Sequence, residues 1–255
     1  MVFLISLLLL LLFLTIITSC SARDKKNFSE TQWALQIDKT LAKDLYSTHY
    51  KDKKFFTPWM KMEDKGFLDV LKWKLSPKAN YTNQEKTFLP RLIPNTAKRI
   101  KQTQGDFILW IGHNTFLIRI DGSYWLTDPI FSKRALLPAR KTPPALTLKA
   151  FNTLVKDVNI VISHSHYDHL DRPTMKDLPQ YSKVFVPKGL KNVVMGMNKT
   201  NVHEMDWWEE FKIGNGSKLI CLPAQHWSLR INQRRNRSLW ASYLLITPSV
   251  TLYFG

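Results

Sequence analysis

The sequence predicts an α+β fold made mainly of short strands with helices inserted between them. Three observations predict it. From Phe107 onward, runs of β-branched and aromatic residues recur between Gly, Asn and Asp turn signals. Helix-type runs at Arg172–Asp177 and Lys188–Met195 interrupt that succession. The chain has 255 residues, 44% of them hydrophobic, which is the composition of a globular protein, and it shows no internal repeat.

In chain order, Val2 through Ile17 is an almost unbroken run of Leu, Ile, Val and Phe, interrupted only by Ser6 and Thr15. It is short for a spanning helix and reads as a targeting segment. Its end, Ile17-Thr18-Ser19-Cys20, resembles the lipobox of bacterial lipoproteins, so export with lipid at Cys20 is expected in preference to a plain signal peptide or an uncleaved anchor. Cys221 then has no partner, which excludes a disulfide scaffold. The formal net charge of +17 favours anionic lipid headgroups, phosphate esters or nucleic acid as contacts; export argues against nucleic acid.

Ser29-Glu-Thr-Gln32 reads as a capping box, and Trp33, Ile37, Leu41 and Leu45 recur every four residues as one face of an amphipathic helix. Tyr50 to Gln104 is basic and broken by Pro58, Pro77, Pro90 and Pro94, and reads as an irregular arm packed over the main domain. Phe107–Ile111, Thr115–Ile120 and Tyr124–Thr127 form an antiparallel meander, its turns at Gly112-His113-Asn114 and Asp121-Gly122. Asn159–Ser163 is a buried-type strand. Lys183–Val186, Val202–Met205, Lys218–Leu222, Leu239–Thr247 and Val250–Phe254 complete the strands. The organisation is therefore a targeting segment at 1–20, a helix and basic arm at 21–104, and the main domain at 105–255.

The strand at Asn159–Ser163 leads into Ser-His-Ser-His-Tyr-Asp-His, which holds His164, His166, Asp168 and His169. The His-x-His alternation points both imidazoles to one side of a strand end, and the following loop turns Asp168 and His169 back toward the same place. His226, just after Lys218–Leu222, is the obvious third imidazole. Ligands of these types can hold a metal that acidifies water near neutral pH. Two adjacent sites are possible: one from His164, His166 and His226, and a second beginning with Asp168 and His169, the candidate catalytic pair. Two metals a few ångströms apart suit hydrolysis of phosphoesters and strained esters.

These residues carry a resemblance. His-x-His-x-Asp-His is the signature of the metallo-β-lactamase fold. Trp110-Ile-Gly-His-Asn-Thr115, Leu126-Thr-Asp-Pro-Ile-Phe-Ser132, Phe185-Val-Pro, Asp206-Trp-Trp-Glu209 and Gln225-His-Trp227 extend the resemblance to the N-acyl-phosphatidylethanolamine phospholipase D branch, from about Thr57 to the last residue. The resemblance implies an αββα sandwich of which only the amino-terminal part is present, with zinc held at His164, His166, Asp168, His169 and His226. It also implies an aspartate bridging two metals directly after Thr251–Gly255 and a later histidine, which the 255 residues do not contain. On that reading the chain is carboxyl-terminally truncated, holds one zinc ion more readily than two and has little activity alone. The implied substrate is a phospholipid or small phosphodiester at a membrane surface. A lactonase of the same fold and an inactive membrane-bound fragment are the alternatives.

Asp128 and His113 stand near the site in the resembling blocks and are expected to orient ligands from behind. Arg230 and Arg234 are candidates for contact with a phosphodiester, as is Trp227 for an acyl chain, although core packing is the default for two of Trp207, Trp208 and Trp227. His49 and His203 read as ordinary core or surface histidines.

Overall fold

The computed structural model describes residues 42–60, 66–77, 79–231 and 233–255. The targeting segment and the start of the helix expected after Ser29 lie outside them. Ala42–Leu45 (α1) is a short helix in a first compact unit that ends at Leu45; the second unit is Tyr46–Gly255. No helix among the described residues is long and apolar enough to cross a membrane.

The second unit opens with a tight hairpin, Tyr50–Lys51 (β1) and Lys54–Phe55 (β2), turned by Asp52 and Lys53 at φ values of 52° and 60°. Positive φ at both turn residues matches the right-handed strand twist. Phe67–Leu75 (α2), Asn83–Thr87 (α3) and Thr96–Gln102 (α4) follow. The arm expected to be irregular is therefore substantially helical. Pro77, Pro90 and Pro94 lie between these helices and bound them rather than break them. Thr82 and Glu85 form a reciprocal capping box at α3: the Glu85 amide donates to Thr82 Oγ1 at 3.2 Å and the Thr82 amide to Glu85 Oε2 at 2.7 Å.

Phe107–Gly112 (β3), Thr115–Ile120 (β4) and Ser123–Thr127 (β5) pair antiparallel, as expected. Leu148–Leu154 (α5) then crosses over to Asn159–Val161 (β6). Arg172–Asp177 (α6), Lys183–Pro187 (β7), Lys191–Met195 (α7) and Val202–Met205 (β8) continue the pattern. The six-stranded sheet has the order β3-β4-β5-β6-β7-β8, parallel from β5 to β8. Glu210–Gly214 (β9), Ser217–Leu222 (β10), Ser242–Ile246 (β11) and Thr251–Phe254 (β12) form a second, antiparallel sheet in the order β12-β11-β10-β9.

Two apolar layers hold these sheets. One packs Ile160, Ile162, Val184 and Val186 of the larger sheet against Phe151, Met175 and Val194 of the helices and Ile100 of the arm. The other joins the two sheets through Trp125, Val161 and Phe185 on one side and Leu219, Cys221, Tyr243 and Leu245 on the other. The Tyr243 hydroxyl, buried between the sheets, donates to the Ile162 carbonyl at 3.0 Å, so its polar end is satisfied.

The segment after β7 and the one before β11 meet closely where Gly189 passes residues 237–239. Gly189 has φ +86°, and a Cβ there would lie 2.7 Å from the Arg237 carbonyl oxygen and 3.0 Å from Ser238 Cα. Gly189→Ala combines left-handed strain with a backbone clash, and is expected to lower stability by about 1–3 kcal/mol in urea denaturation. A variant of unchanged stability would show that the backbone there moves freely.

Candidate metal centre

The strand expected to reach Ser163 ends two residues earlier, at Val161. Backbone pairing stops because the Ser163 amide donates to Asp128 Oδ1 at 2.7 Å instead of to a neighbouring strand. Ile162 N–H makes the last bond to β7, donating to the Phe185 carbonyl at 3.0 Å, and the Ser163 carbonyl accepts from Ala241 N–H at 2.9 Å. His164 and His166 thus project from a braced loop, and His169 and Leu170 amides both turn back onto the His166 carbonyl, at 3.1 and 2.8 Å.

The loop from β10 brings His226 to this point. His164 Nε2 lies 2.8 Å from His166 Nδ1 and 3.0 Å from His226 Nε2, and the latter two are 3.3 Å apart. The proton of His164 is already committed. Its Nδ1 lies 2.8 Å from Ser163 Oγ, and that hydroxyl is 2.5 Å from Asp128 Oδ2, an acceptor only, so Nδ1–H donates to Ser163 and Ser163 to Asp128. This leaves Nε2 as a bare lone pair aimed at the other two rings. In a four-coordinate site with metal–nitrogen bonds of about 2.0–2.1 Å, ligand nitrogens stand about 3.3 Å apart. With its three nitrogens 2.8 to 3.3 Å apart, the trio fits a single metal ion.

The same Asp128 Oδ2 accepts the Nδ1 proton of His169 at 2.6 Å, so one fully buried carboxylate sets the tautomers of two imidazoles. His169 Nε2 then faces Asp168 Oδ2 at 3.7 Å, and His113 Nε2 approaches the same carboxylate oxygen at 3.1 Å. His113, Asp168 and His169 make a second group whose donor atoms lie within 4.8 Å of one another, beside the trio.

Charge follows this geometry. Burial, reinforced by neighbouring imidazoles, holds His164 far below its ordinary value and brings His166 down to about 4; burial also lowers His226. Burial opposes charge on His169 too, but its hydrogen bond to Asp128 raises it. The hydrogen bond from His113 holds Asp168 well below the usual carboxylate range. Near neutral pH the trio is neutral and Asp168 is ionised, the state a divalent ion requires.

A model of the β-lactamase superfamily domain matches residues 124–255, just over half of the chain. The chain belongs to the β-lactamase superfamily. An N-acyl-phosphatidylethanolamine-hydrolyzing phospholipase D of Caenorhabditis elegans is 34% identical over 176 residues, covering 62% of this chain and 48% of that protein. A mitochondrial protein of the same description from Saccharomyces cerevisiae is 34% identical over 150 residues, covering 53% of this chain and 30% of that protein. A metal-dependent hydrolase of Pyrobaculum neutrophilum is 25% identical over 153 residues, covering 57% and 59%. The chain thus spans about half the length, or less, of the first curated relatives it matches. Among solved structures, a metallo hydrolase from Ignicoccus hospitalis superposes with a TM-score of 0.43 and 18% identity over 58% of this chain and 59% of that one.

Within this superfamily domain the other expected residues fall out differently. Arg230, expected to contact a phosphodiester, is buried in the fold. It is 7% exposed, with Nη1 donating to the carbonyls of Ser165 at 2.6 Å and Leu170 at 2.9 Å and its guanidinium 4.2 Å over the Tyr167 ring. It braces the histidine loop, because a buried guanidinium must spend its donors on nearby carbonyls. Arg234 is exposed. Arg235 lies 4.5 Å over the Trp227 ring, and Trp227 packs edge-on to His166 at 4.3 Å. Trp207 is core, its Nε1 donating to the Trp240 carbonyl at 2.7 Å, and Trp208 packs against the same core. Asp206 pairs with His49 at 2.7 Å and Lys188 at 2.6 Å, away from the cluster. His203 stacks between Phe185 and Phe211.

A cavity of about 530 Å³ opens beside the second group. It is lined by His113, His166 and Asp168, by Trp227 and Tyr167, and by Lys133 and residues 135–140. Nothing in the strand and helix pattern marked the 133–140 segment, whose signal was the pair of leucines set between cations.

The electrostatics give a pH test. His164, His166 and His226 have folded values below the unfolded 6.5, so the unfolded chain binds more protons and stability is lost as pH falls from about 6.5 through the folded values, about 4 for His166. His169, raised, works in the opposite sense: its contribution is present below 6.5 and lost as pH rises. Three groups outweigh one, so the chelator-treated protein is expected to melt at progressively lower temperature between pH 6.5 and 4. A melting temperature that rises over that interval would contradict the neutral state of the trio.

Proposed function

We propose that the protein is a zinc-dependent phosphodiesterase acting at a membrane on N-acyl-phosphatidylethanolamine, in the manner of a phospholipase D. The convergence of three imidazole nitrogens, from His164, His166 and His226, carries this reading. All-nitrogen ligation of this kind suits zinc. The likeness to phospholipases of that description supports the substrate class.

A bound zinc ion supplies Lewis acidity, acidifying water and drawing charge from a phosphoryl oxygen. The chain's own groups do the rest. His164, His166 and His226 bind the ion, and Ser163 and Asp128 hold the His164 ring in the tautomer that presents Nε2. Asp168 and His169, with His113 beside them, offer donor atoms for a second ion next to the first. Lys133 and Arg140 line the same cavity and supply positive charge for a phosphodiester. Trp227, Tyr167, Leu136 and Leu137 offer apolar wall to an acyl chain.

The protein expressed from its natural gene is expected to convert vesicular N-acyl-phosphatidylethanolamine to phosphatidic acid and N-acylethanolamine. It should also cleave bis(p-nitrophenyl) phosphate, a water-soluble diester. Chelation should stop both reactions and zinc restore them. Absence of metal-dependent cleavage of either diester would overturn the reading.

A further inference from the structure

We propose that the Lys133–Lys141 hairpin dips into an anionic phospholipid bilayer and seats the mouth of the metal-site cavity on the lipid surface; this rests on the lipid-diester reading above. The hairpin is short and tied. Arg134 and Ala139 form a β-bridge, Ala135 N–H donates to the Pro138 carbonyl at 3.0 Å, and Arg140 N–H donates to the Lys133 carbonyl at 3.0 Å. Arg134 Nη1 donates to the Leu137 carbonyl at 2.7 Å. At its tip Leu136 is 52% exposed and Leu137 85% exposed. Leu136 also sits at φ +56°, a conformation that costs a leucine energy, and the surrounding bonds hold it there.

A hairpin braced to hold two leucines in water does nothing for the packing of the fold. Its arrangement matches the depth order of a bilayer. Lys133 and Arg134 precede the leucines and Lys141 follows them, so these cations would meet headgroup phosphates while the tip enters the acyl region. Charge complementarity selects an anionic lipid surface. No acidic residue occurs between Asp128 and Asp157, and the whole chain carries +17. The inner side of the same hairpin lines the cavity that reaches His166 and Asp168, so a lipid drawn out along the leucines passes directly toward the metal cluster.

The test places an environment-sensitive fluorophore at Leu137→Cys, with Cys20→Ser so that only one thiol reacts, since Cys221 is buried. Leu136→Cys is a second reporter, and Tyr181→Cys, on a loop equally open to water, is the control. With vesicles of phosphatidylcholine and phosphatidylglycerol, labels at 136 and 137 are expected to shift to the blue and to be quenched by lipids carrying a nitroxide on the acyl chain. The label at 181 should stay aqueous. Labels at 136 and 137 that remain aqueous, a shift at all three positions, or a shift that appears with protein concentration in the absence of vesicles would each overturn the proposal. Cleavage of bis(p-nitrophenyl) phosphate by the unlabelled protein is read alongside. Its absence strikes the functional reading, whereas aqueous labels with that cleavage intact overturn the hairpin proposal alone.

Discussion

Replacing His226 by alanine is expected to weaken zinc binding by at least about 100-fold, since even partners behind a ligand cost about 10–100-fold when removed. His226 closes the trio. Its Nε2 lies 3.0 Å from His164 Nε2 and 3.3 Å from His166 Nδ1, and without it two imidazoles face open space. Competition with a chromophoric chelator measures the loss. His226 comes from the loop after β10, a different sheet from the one that leads to His164, so truncation leaves the histidine loop in place and the fold intact in circular dichroism. An affinity unchanged by the substitution would mean that the ion sits elsewhere.

Asp128→Asn is expected to be nearly as damaging, although it changes one atom and no volume. The carboxylate is fully buried and takes three donors: the Ser163 amide at 2.7 Å, the Ser163 hydroxyl at 2.5 Å and the His169 Nδ1 proton at 2.6 Å. An amide nitrogen there must face at least one of these donors, which costs about 1–3 kcal/mol for the unsatisfied group. The backbone is not at fault, because asparagine tolerates the positive φ of this position, +33°, as well as aspartate does. The histidines lose the tautomer that presents Nε2, and zinc affinity should fall by about 10–100-fold. Asp128→Asn with wild-type affinity but reduced stability would make the residue a packing element only.

Much of the site was legible because metal chemistry constrains spacing. His-x-His and the Asp-His that begins two positions on are set by the reach of one loop, and the end of a strand near Leu222 was the natural place for a third imidazole. The sheet elements were legible for a similar reason, since β3, β4 and β8 are bounded by turn residues. Glu210–Gly214 was missed although Asn215-Gly216, with φ values of 50° and 72°, is the turn that pairs it with β10. Its polar outer face, with alternate residues exposed, hid the strand pattern. Leu148–Leu154 was missed because only Thr147, whose side chain accepts from the Ala150 amide, announces it. Arg230 is a candidate phosphate contact in the sequence because a sequence reports charge and not burial. Its two carbonyl partners lie about sixty positions away, and such a distance leaves no local trace. The Ser163 link between Asp128 and His164 was hidden likewise, since a serine beside a histidine has no distinctive pattern.

The decisive measurement is anomalous diffraction at the zinc absorption edge from crystals of the protein grown with zinc. A peak is predicted at about 2.0–2.1 Å from each of His164 Nε2, His166 Nδ1 and His226 Nε2. A zinc-replete crystal with no peak among those three nitrogens, or with its strongest peak at another set of residues, would contradict the metal centre on which the proposed chemistry depends.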